Sequence, residues 1–221
     1  MTEKESPLYL KQMEIGPMEN FVYLIGSKTA REAFVVDPAW QVDTVLRAAR
    51  EENFKIVGAL VTHYHFDHTN GIEELLEAVD CPVYVNKKDV PYLGLGSDRV
   101  RPVDSGMKVK AGEIEIECVH TPGHTPGSQC FHVSGHLVSG DTLFIGACGR
   151  TDLPGGDAKE LYYSLTQRLS KFDGSTVLCP GHNYAAKPMT TMAEERKTNP
   201  YLLSDSLQHF LKFRTGVSET R

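Results

Sequence analysis

The sequence predicts an α/β fold, arranged as a single domain over residues 1–221. Three observations support this expectation. Short apolar runs typical of strands alternate with stretches whose apolar residues recur at helical spacing. The alternation continues without internal repeats, low-complexity tracts or long linkers, which favours one mixed domain. Hydrophobic residues make up 40% of the chain and charged residues 24%, as in ordinary globular proteins.

The first predicted elements are a pair of strands and a helix. Residues 20–26 (NFVYLIG) and 33–38 (AFVVDP) are apolar runs joined by a charged turn, which is typical of paired strands. Residues 42–53 carry valine, leucine and alanine at helical spacing. The continuous apolar run at 55–62 (KIVGALVT) then predicts a buried strand.

A second helix is predicted directly after this strand and its loop. Asn70 can cap the helix, and Glu73 stands three residues later, as in a capping box. A further strand is predicted at 81–86 (CPVYVN). Residues 87–106 contain several prolines and glycines, and we expect an irregular surface loop there rather than a lid.

The rest of the chain continues the mixture of strands and helices. Strands are predicted at 113–120, 128–134, 136–141 and 175–182. Helices are predicted at 157–172, 189–197 and 201–213. The apolar stripe in the last of these indicates a core contact or a dimer contact, so a homodimer is one expectation.

The net charge and the cysteine content indicate which binding partners and which cellular compartment to expect. The net charge is −6 without a run of lysine or arginine, which disfavours nucleic acid and anionic membranes as partners. The five cysteines are scattered and form no CxxC pair, as expected for reduced thiols. Residues 1–16 are charged and lack the apolar stretch of a secretory signal, and we expect a cytoplasmic protein.

Residues 61–71 (VTHYHFDHTNG) crowd histidines and an aspartate into a short strand-to-helix loop. His63 and His65 are two residues apart, so both side chains can point the same way from an extended backbone. Asp67 and His68 follow as the chain turns and can face a second position. A loop held between two regular elements is a place where a scaffold can fix functional groups.

Three more strand ends deliver the same residue types. His124 follows one predicted strand closely, and Asp141 and His182 end two others. Strand ends at one edge of a sheet commonly assemble binding sites. That edge can collect His63, His65, Asp67, His68, His124, Asp141 and His182.

A bound cation explains why these groups would share a small volume. Buried carboxylates repel one another and are costly to desolvate, and one or two divalent ions remove the conflict. Imidazole and carboxylate without thiolate suit zinc, iron or manganese. Structural zinc sites are four-coordinate and rich in cysteine, so this larger set without cysteine predicts a site for chemistry on a bound molecule. A non-catalytic metal-binding protein is the alternative from another class.

The motifs resemble those of the metallo-β-lactamase superfamily. THYHFDH matches its HxHxDH motif, and PGHT, SGDTLF and PGH match its later ligand motifs in the same order. The resemblance extends from about Leu8 to about Phe210, which we take as the domain core. It implies an αββα sandwich with the metal site at one edge.

Two branches of the superfamily are most similar. GDTLFIGACGRTD (140–152) and GHNY (181–184) resemble stretches of glyoxalase II. CGRTD (148–152), EERKTNP (194–200) and REAFVVDP (31–38) resemble the persulfide dioxygenases. Glyoxalase II carries a C-terminal helical domain, and residues 183–221 are too few to form it, which favours the dioxygenase. Against this, TDLPGGD (151–157) is common in small hydrolases of the superfamily.

Each resemblance implies roles for the ligands. The dioxygenase would hold one Fe(II) per chain on His63, His124 and Asp141 and oxidise glutathione persulfide to sulfite. The alternative is a hydrolase of hydroxyacylglutathione thioesters with two zinc, iron or manganese ions. In the hydrolase, one ion is held by His63, His65 and His124, the other by Asp67, His68 and His182, with Asp141 bridging and Asp67 orienting the nucleophile.

Three residues are candidate contacts for the thiol substrate. Arg150 has a guanidinium that suits a glycine carboxylate, although it could instead pair with Asp152 and hold the loop. Tyr184 is a candidate by its position beside His182. Arg196 is the third, with a solvated helix face as its alternative.

Overall fold

Two six-stranded sheets and a short hairpin contain the strands of this computed structural model, which describes residues 6–96 and 98–215. The strands of the first sheet are β1 Leu8–Ile15, β2 Asn20–Ser27, β3 Glu32–Val36, β4 Lys55–Val61, β5 Val83–Asn86 and β6 Val100–Val103. They lie side by side in chain order. Neighbours are antiparallel from β1 to β3 and parallel from β3 to β6.

The second sheet lies against the first. The remaining strands are β7 Lys108–Ala111, β8 Ile114–His120, β9 Gln129–Val133, β10 His136–Gly140, β11 Leu143–Phe144, β12 Ala147–Cys148, β13 Val177–Pro180 and β14 Thr190–Thr191. The sheet order is β14-β13-β10-β9-β8-β7, and β11 and β12 pair as the separate hairpin. The neighbouring strands β10 and β13 are parallel, so both strands end at the same edge.

The α-helices within the described residues are α1 Val42–Glu51, α2 Phe66–Thr69, α3 Ile72–Ala78, α4 Ala158–Tyr163, α5 Met192–Thr198 and α6 Leu207–Thr215. Five of these six α-helices cover the outer faces of the sheets, and the short α2 belongs to the loop after β4. Apolar residues of α1 and α3 pack on the first sheet, and those of α4, α5 and α6 pack on the second. This is the αββα sandwich that the sequence resemblance implied.

The central core lies between the two sheets. Tyr23 and Leu60 of the first sheet meet Phe131 of the second, and all three side chains are almost fully buried. Burying an apolar side chain of this size stabilises a fold by about 1.5–3 kcal/mol. The sandwich interior therefore supplies a rigid base for the loops at its edge.

Several predicted elements differ in the structure. Residues 87–106 are not wholly irregular, because a 3-10 turn at Val90–Tyr92 and the edge strand β6 lie within them. The predicted capping box is wrong: the side-chain oxygen of Asn70 accepts a hydrogen bond from the backbone N–H of Trp40 at 2.7 Å, and α3 has no side-chain cap. The helix predicted at 201–213 begins only at Leu207.

The five cysteines are free and buried, in agreement with the expectation of reduced thiols. Burial raises the pKa of the Cys148 thiol to about 12, so it packs as a small apolar group. Within the described residues, no helix combines the length and apolar character that a bilayer crossing requires.

Asn199, in the EERKTNP stretch, links the β11–β12 hairpin to the C-terminal end of α5 through hydrogen bonds. Its side-chain amide donates to the backbone oxygens of Phe144 at 3.2 Å and Ala147 at 3.0 Å, and to Glu195 at 2.8 Å. The residue is fully buried. This hairpin follows Asp141 closely and leads to Arg150, so the clamp supports the segment between two site residues.

Replacing Asn199 with alanine should destabilise the fold. The variant leaves buried carbonyl groups without donors, and each such group costs about 1–3 kcal/mol. We expect a lower urea concentration at the midpoint of unfolding. The control is Lys197→Ala, on the exposed face of α5, the helix that ends just before Asn199. An Asn199→Ala midpoint equal to that of the control would show that the clamp contributes nothing.

Candidate metal centre

The structure brings all seven predicted ligands to one edge of the sandwich. β4 leads into His63, β10 into Asp141 and β13 into His182, while His124 lies in the loop between β8 and β9. Donor atoms of His63, His65 and His124 lie within 4.8 Å of one another, and we call these residues the first donor group. Those of Asp67, His68 and His182 do the same and form the second donor group.

The first donor group is closely packed around two imidazole nitrogens. His63 Nε2 and His124 Nε2 are 3.3 Å apart. Asp141 Oδ2 lies 3.6 Å from His124 Nε2, so the carboxylate adjoins this group. The ring of His65 lies 4.7 Å from that of His63 and 4.6 Å from that of His124, measured between centroids.

The second donor group lies on the other side of Asp141. His68 Nε2 and His182 Nε2 are 3.1 Å apart, and His182 Nε2 is 3.3 Å from Asp67 Oδ2. Asp141 Oδ1 is 3.3 Å from His68 Nε2, and Asp141 Oδ2 is 3.5 Å from His182 Nε2. Asp141 therefore lies between the two groups and adjoins both.

Hydrogen bonds at the outer nitrogens assign the tautomers of two histidines. His124 Nδ1 lies 2.7 Å from the backbone oxygen of Arg150, and His182 Nδ1 lies 2.8 Å from that of Met18. A carbonyl oxygen only accepts, so each Nδ1 carries a proton and donates it. In the neutral rings, both Nε2 atoms then point unprotonated lone pairs into the centre.

A chain of hydrogen bonds through Asp37 assigns the tautomers of His63 and His68. The Thr62 hydroxyl donates to Asp37 Oδ2 at 2.6 Å, so it must accept from His63 Nδ1, which is 3.0 Å away. His68 Nδ1 donates to the same Asp37 oxygen at 2.9 Å. In their neutral forms His63 and His68 thus also direct Nε2 lone pairs inward, so the four neutral rings aim four lone pairs at one small volume.

The electrostatics differ between the two sides of Asp141. Burial holds the pKa of His63 and His124 below the ordinary value and lowers that of His65 to about 4. Burial also disfavours charge on His68 and His182, but adjacent carboxylates outweigh it and raise both pKa values, that of His182 to about 9. Positive charge is thus stabilised beside Asp67 and Asp141.

The arrangement fits a divalent cation. Asp141 Oδ1 is buried and has no hydrogen-bond partner among the described residues, as expected of an oxygen that faces a metal rather than a donor. A Cβ at Gly181 would lie 2.4 Å from that oxygen, so glycine leaves the carboxylate its space. The converging donors are imidazoles and carboxylates without thiolate, which suits iron, zinc or manganese.

Two residues that orient ligands were missed by the sequence analysis. Asp37 ties His68 to Thr62, as described above, and it directly follows β3, so the strand-end argument could have found it. Asn20 donates to Asp67 Oδ2 at 3.0 Å and to the Asp67 backbone oxygen at 2.9 Å. Such partners outside the ligand set fix the orientation of the ligands.

Asp89 is a third missed residue, and it joins two ligand-bearing loops. Its Oδ2 accepts from the backbone N–H of Tyr64 at 3.1 Å and from the Thr125 hydroxyl at 2.8 Å. Its Oδ1 accepts from the backbone N–H of Gly127 at 2.6 Å. A Cβ at Gly127 would lie 2.4 Å from the Asp89 carboxyl carbon, so only glycine admits this contact. Burial raises the pKa of Asp89 to about 6 against the opposing effect of the three donors.

The three residues predicted to contact the substrate, Tyr184, Arg150 and Arg196, differ in exposure and in hydrogen-bond partners. Tyr184 stacks on the His182 ring with centroids 4.6 Å apart, and it is 55% exposed, so it borders the centre and the solvent. Arg150 is exposed and pairs with Asp152. Arg196 donates to the backbone oxygens of Ser170 and Phe172, beyond α4. The role of each in substrate binding stays a prediction.

The sequence model described as Metallo-beta-lactamase superfamily matches residues 15–182, which include all seven predicted ligands. The chain belongs to this superfamily. Its fold, the HxHxDH loop and the order of the later ligands all agree with that membership.

Curated relatives within the superfamily carry two kinds of name. The chain is 29% identical over 200 residues to the probable polyketide biosynthesis zinc-dependent hydrolase PksB of Bacillus subtilis, covering 90% of this chain and 89% of the relative. It is 32% identical over 221 residues to the mitochondrial persulfide dioxygenase ETHE1 of Homo sapiens, covering 96% of this chain and 83% of the relative.

Solved structures show the same similarity. The crystal structure of ETHE1 from Myxococcus xanthus superposes with a TM-score of 0.86 at 29% identity, covering 96% of this chain and 92% of that chain. The crystal structure of TTHA1623 in a di-iron-bound form gives a TM-score of 0.76 at 31% identity, covering 87% of this chain and 100% of that chain.

Proposed function

We propose that the protein is an iron(II)-dependent persulfide dioxygenase that oxidises glutathione persulfide to sulfite. The observation that carries this proposal is the similarity to the human and Myxococcus proteins named ETHE1, which covers 96% of the chain in both comparisons. That similarity extends past residue 182, where the match to the superfamily ends. It therefore includes C-terminal segments that the superfamily pattern does not describe.

His63, His124 and Asp141 are the residues that would hold the iron. Two imidazoles and one carboxylate are the ligands typical of non-haem Fe(II) oxygenases, and they leave coordination positions open. Bound iron(II) supplies redox chemistry between a sulfur ligand and oxygen. Hydrogen bonds keep the two histidine side chains in place, since His124 Nδ1 donates to the backbone oxygen of Arg150 and His63 Nδ1 to the Thr62 hydroxyl.

The other residues of the centre would manage protons and orientation. The reaction consumes one persulfide, one dioxygen and one water, and it yields one thiol and one sulfurous acid, whose two protons must leave. His68 and His182 lie against Asp67 and Asp141 and can hold those protons. Tyr184 stacks on the His182 ring at the open side, where it can contact the thiol carrier.

A binuclear thioester hydrolase is the second candidate, and a specific observation favours it. The second donor group is as closely assembled as the first, with Asp141 between them. Such an arrangement can hold two ions and activate water between them. The relative named as a zinc-dependent hydrolase and the neighbour solved with two irons support this alternative.

Metal content and oxygen uptake distinguish the two candidates when His182 is replaced with glutamine. For the dioxygenase, we expect about one iron per chain in the wild type and in His182→Gln, because His63, His124 and Asp141 remain. Oxygen uptake with glutathione persulfide should fall by about 10–100-fold, as on loss of a residue that supports ligands. Elemental analysis and an oxygen electrode make the measurements, and His136→Gln at the start of β10 is the control.

The hydrolase candidate predicts a different result. The wild type would contain two metals per chain, His182→Gln would lose one of them, and S-lactoylglutathione would be cleaved without oxygen uptake. That outcome would refute the dioxygenase proposal.

A further inference from the structure

Trp40, the single tryptophan of the chain, stands on a strained backbone. Its φ is +51°, a left-handed conformation that costs a bulky residue free energy. The side-chain oxygen of Asn70, which accepts from the backbone N–H of Trp40 at 2.7 Å, helps to keep the residue there. Asn70 directly follows α2, the helix that contains Asp67 and His68. Such strain persists where the surroundings enforce it, and it indicates a function for the side chain.

The indole ring contacts both the turn after β1 and the loop that carries the HxHxDH motif. A Cβ at Gly16 would overlap the five-membered ring of the indole, so only glycine lets the ring lie against this turn. The Phe66 ring meets the indole edge-on, with centroids 5.7 Å apart and planes at 86°. Phe66 stands between the candidate ligands His65 and Asp67. These contacts fix the direction in which the indole N–H points.

The indole N–H reaches a candidate metal ligand through one side chain. Trp40 Nε1 donates to Asn20 Oδ1 at 3.3 Å. The Nδ2 group of Asn20 donates to Asp67 Oδ2 at 3.0 Å and to the Asp67 backbone oxygen at 2.9 Å. An indole nitrogen only donates and a carbonyl oxygen only accepts, so these partners all require the same orientation of the Asn20 amide. The indole thus opposes a rotation that would turn the amide oxygen toward the Asp67 carboxylate.

Asn20 connects this chain of hydrogen bonds to a second candidate ligand. It is 1% exposed, and its backbone pairs with that of His182 in an antiparallel bridge. The Asp67 carboxylate lies 3.3 Å from His182 Nε2. A rotated Asn20 amide would place two acceptors against each other in the interior, which is unfavourable. Asp67 would then lose its position against His182.

We propose that Trp40 is a positioning residue of the metal centre, which acts through Asn20 to hold Asp67 in the second donor group. The inference rests on the proposed function only for what Asp67 then does. In the dioxygenase, Asp67 lies against a histidine that can hold protons. In the hydrolase, it would bind the second ion. The role of Trp40 is therefore the same under both candidate reactions.

Removal of the indole N–H alone tests the role by turnover. Because the chain has one tryptophan, biosynthetic incorporation of benzothienylalanine, in which sulfur replaces the N–H, changes residue 40 only. We expect kcat to fall about 3–10-fold, the value of one hydrogen bond, with KM unchanged because the proposal gives Trp40 no contact with the substrate. Fluorotryptophan, which keeps the N–H, is the matched control and should preserve kcat. The substrate is glutathione persulfide or S-lactoylglutathione, whichever the wild type converts.

The NMR signal of the indole N–H tests the link to Asp67 without turnover. The single tryptophan gives one such signal in the zinc-loaded protein. Asn20→Ala removes the acceptor, and exchange of the indole proton with water should become about tenfold faster. Asp67→Ala should shift the signal, because Asn20 loses one of its two acceptors. Asp205→Asn, an exposed carboxylate before α6, should leave the signal unchanged.

Three results would overturn the role of Trp40. They are an exchange rate in Asn20→Ala equal to that of the wild type, an indole signal that Asp67→Ala does not move, and wild-type kcat in the benzothienylalanine protein. The proposed reaction fails separately. Thioester cleavage without oxygen uptake would refute the dioxygenase, while an indole signal that responds to Asn20→Ala and Asp67→Ala would support the positioning role all the same.

Discussion

Asp141→Asn is expected to abolish metal binding and activity under either proposed reaction. The carboxylate adjoins both donor groups, with His68 Nε2 at 3.3 Å and His124 Nε2 at 3.6 Å. An amide keeps the shape but removes the negative charge that balances a divalent cation. Loss of a partner outside the ligand set alone costs about 10–100-fold in metal affinity, so loss of this ligand should cost more than about 100-fold.

The measurement is the metal content per chain after dialysis against a weak chelator, together with turnover. Asp205→Asn, an exposed carboxylate on the segment before α6, is the matched control and should keep wild-type metal and turnover. Far-ultraviolet circular dichroism checks that the variant folds. A folded Asp141→Asn protein that retains metal and turnover would contradict the position of Asp141 between the two donor groups.

The grouping of the candidate metal ligands could be predicted from the sequence because three of them, His63, Asp141 and His182, stand within two residues of a strand end. Parallel strands such as β10 and β13 end at the same edge, so strand ends that are distant in sequence meet in space. The pattern of residue types at those ends was enough to place Asp141 and His182 together. The tautomers of His124 and His182 depend on the backbone oxygens of Arg150 and Met18, which no local pattern identifies.

Three strands that the sequence patterns did not predict, β1, β6 and β7, lie at the edges of the sheets. In β1 (LYLKQMEI) most residues are partly or fully exposed, and in β7 (KVKA) every second residue is exposed. A search for continuous apolar runs misses such strands because only part of each is buried. β6 (VRPV) contains Pro102, which an edge strand tolerates because one side of its backbone is unpaired.

The residues that orient the ligands were missed for a different reason. Asn20 and Asp89 lie far in sequence from the side chains and loops they hold, 47 residues in the bond from Asn20 to Asp67. Nothing in the motif HxHxDH specifies these partners. These partners can be identified only from the three-dimensional arrangement of the loops between the strands. Asp37 differs, because it directly follows a strand, as Asp141 does.

Asp89→Ala is expected to loosen two ligand loops together. The wild-type carboxylate is fully buried and accepts from Tyr64, Thr125 and Gly127, so it joins the loop of His63 and His65 to that of His124. Alanine leaves these donors unpaired in the interior, at about 1–3 kcal/mol each. We expect the free energy of unfolding to fall by about 3 kcal/mol or more and metal affinity to fall by about 10–100-fold.

Two readouts separate a positioning role from a purely structural one. The visible absorption of the cobalt(II)-substituted protein reports on ligand geometry, and it should change in Asp89→Ala and also in Asp89→Asn. Asparagine fills the same space, but its amide group replaces one acceptor with a donor that faces other donors. Asp104→Asn, an exposed carboxylate paired with Lys87, should leave both stability and the cobalt spectrum unchanged. If Asp89→Asn is destabilised while its cobalt spectrum matches the wild type, Asp89 supports the fold without setting the geometry of the metal centre.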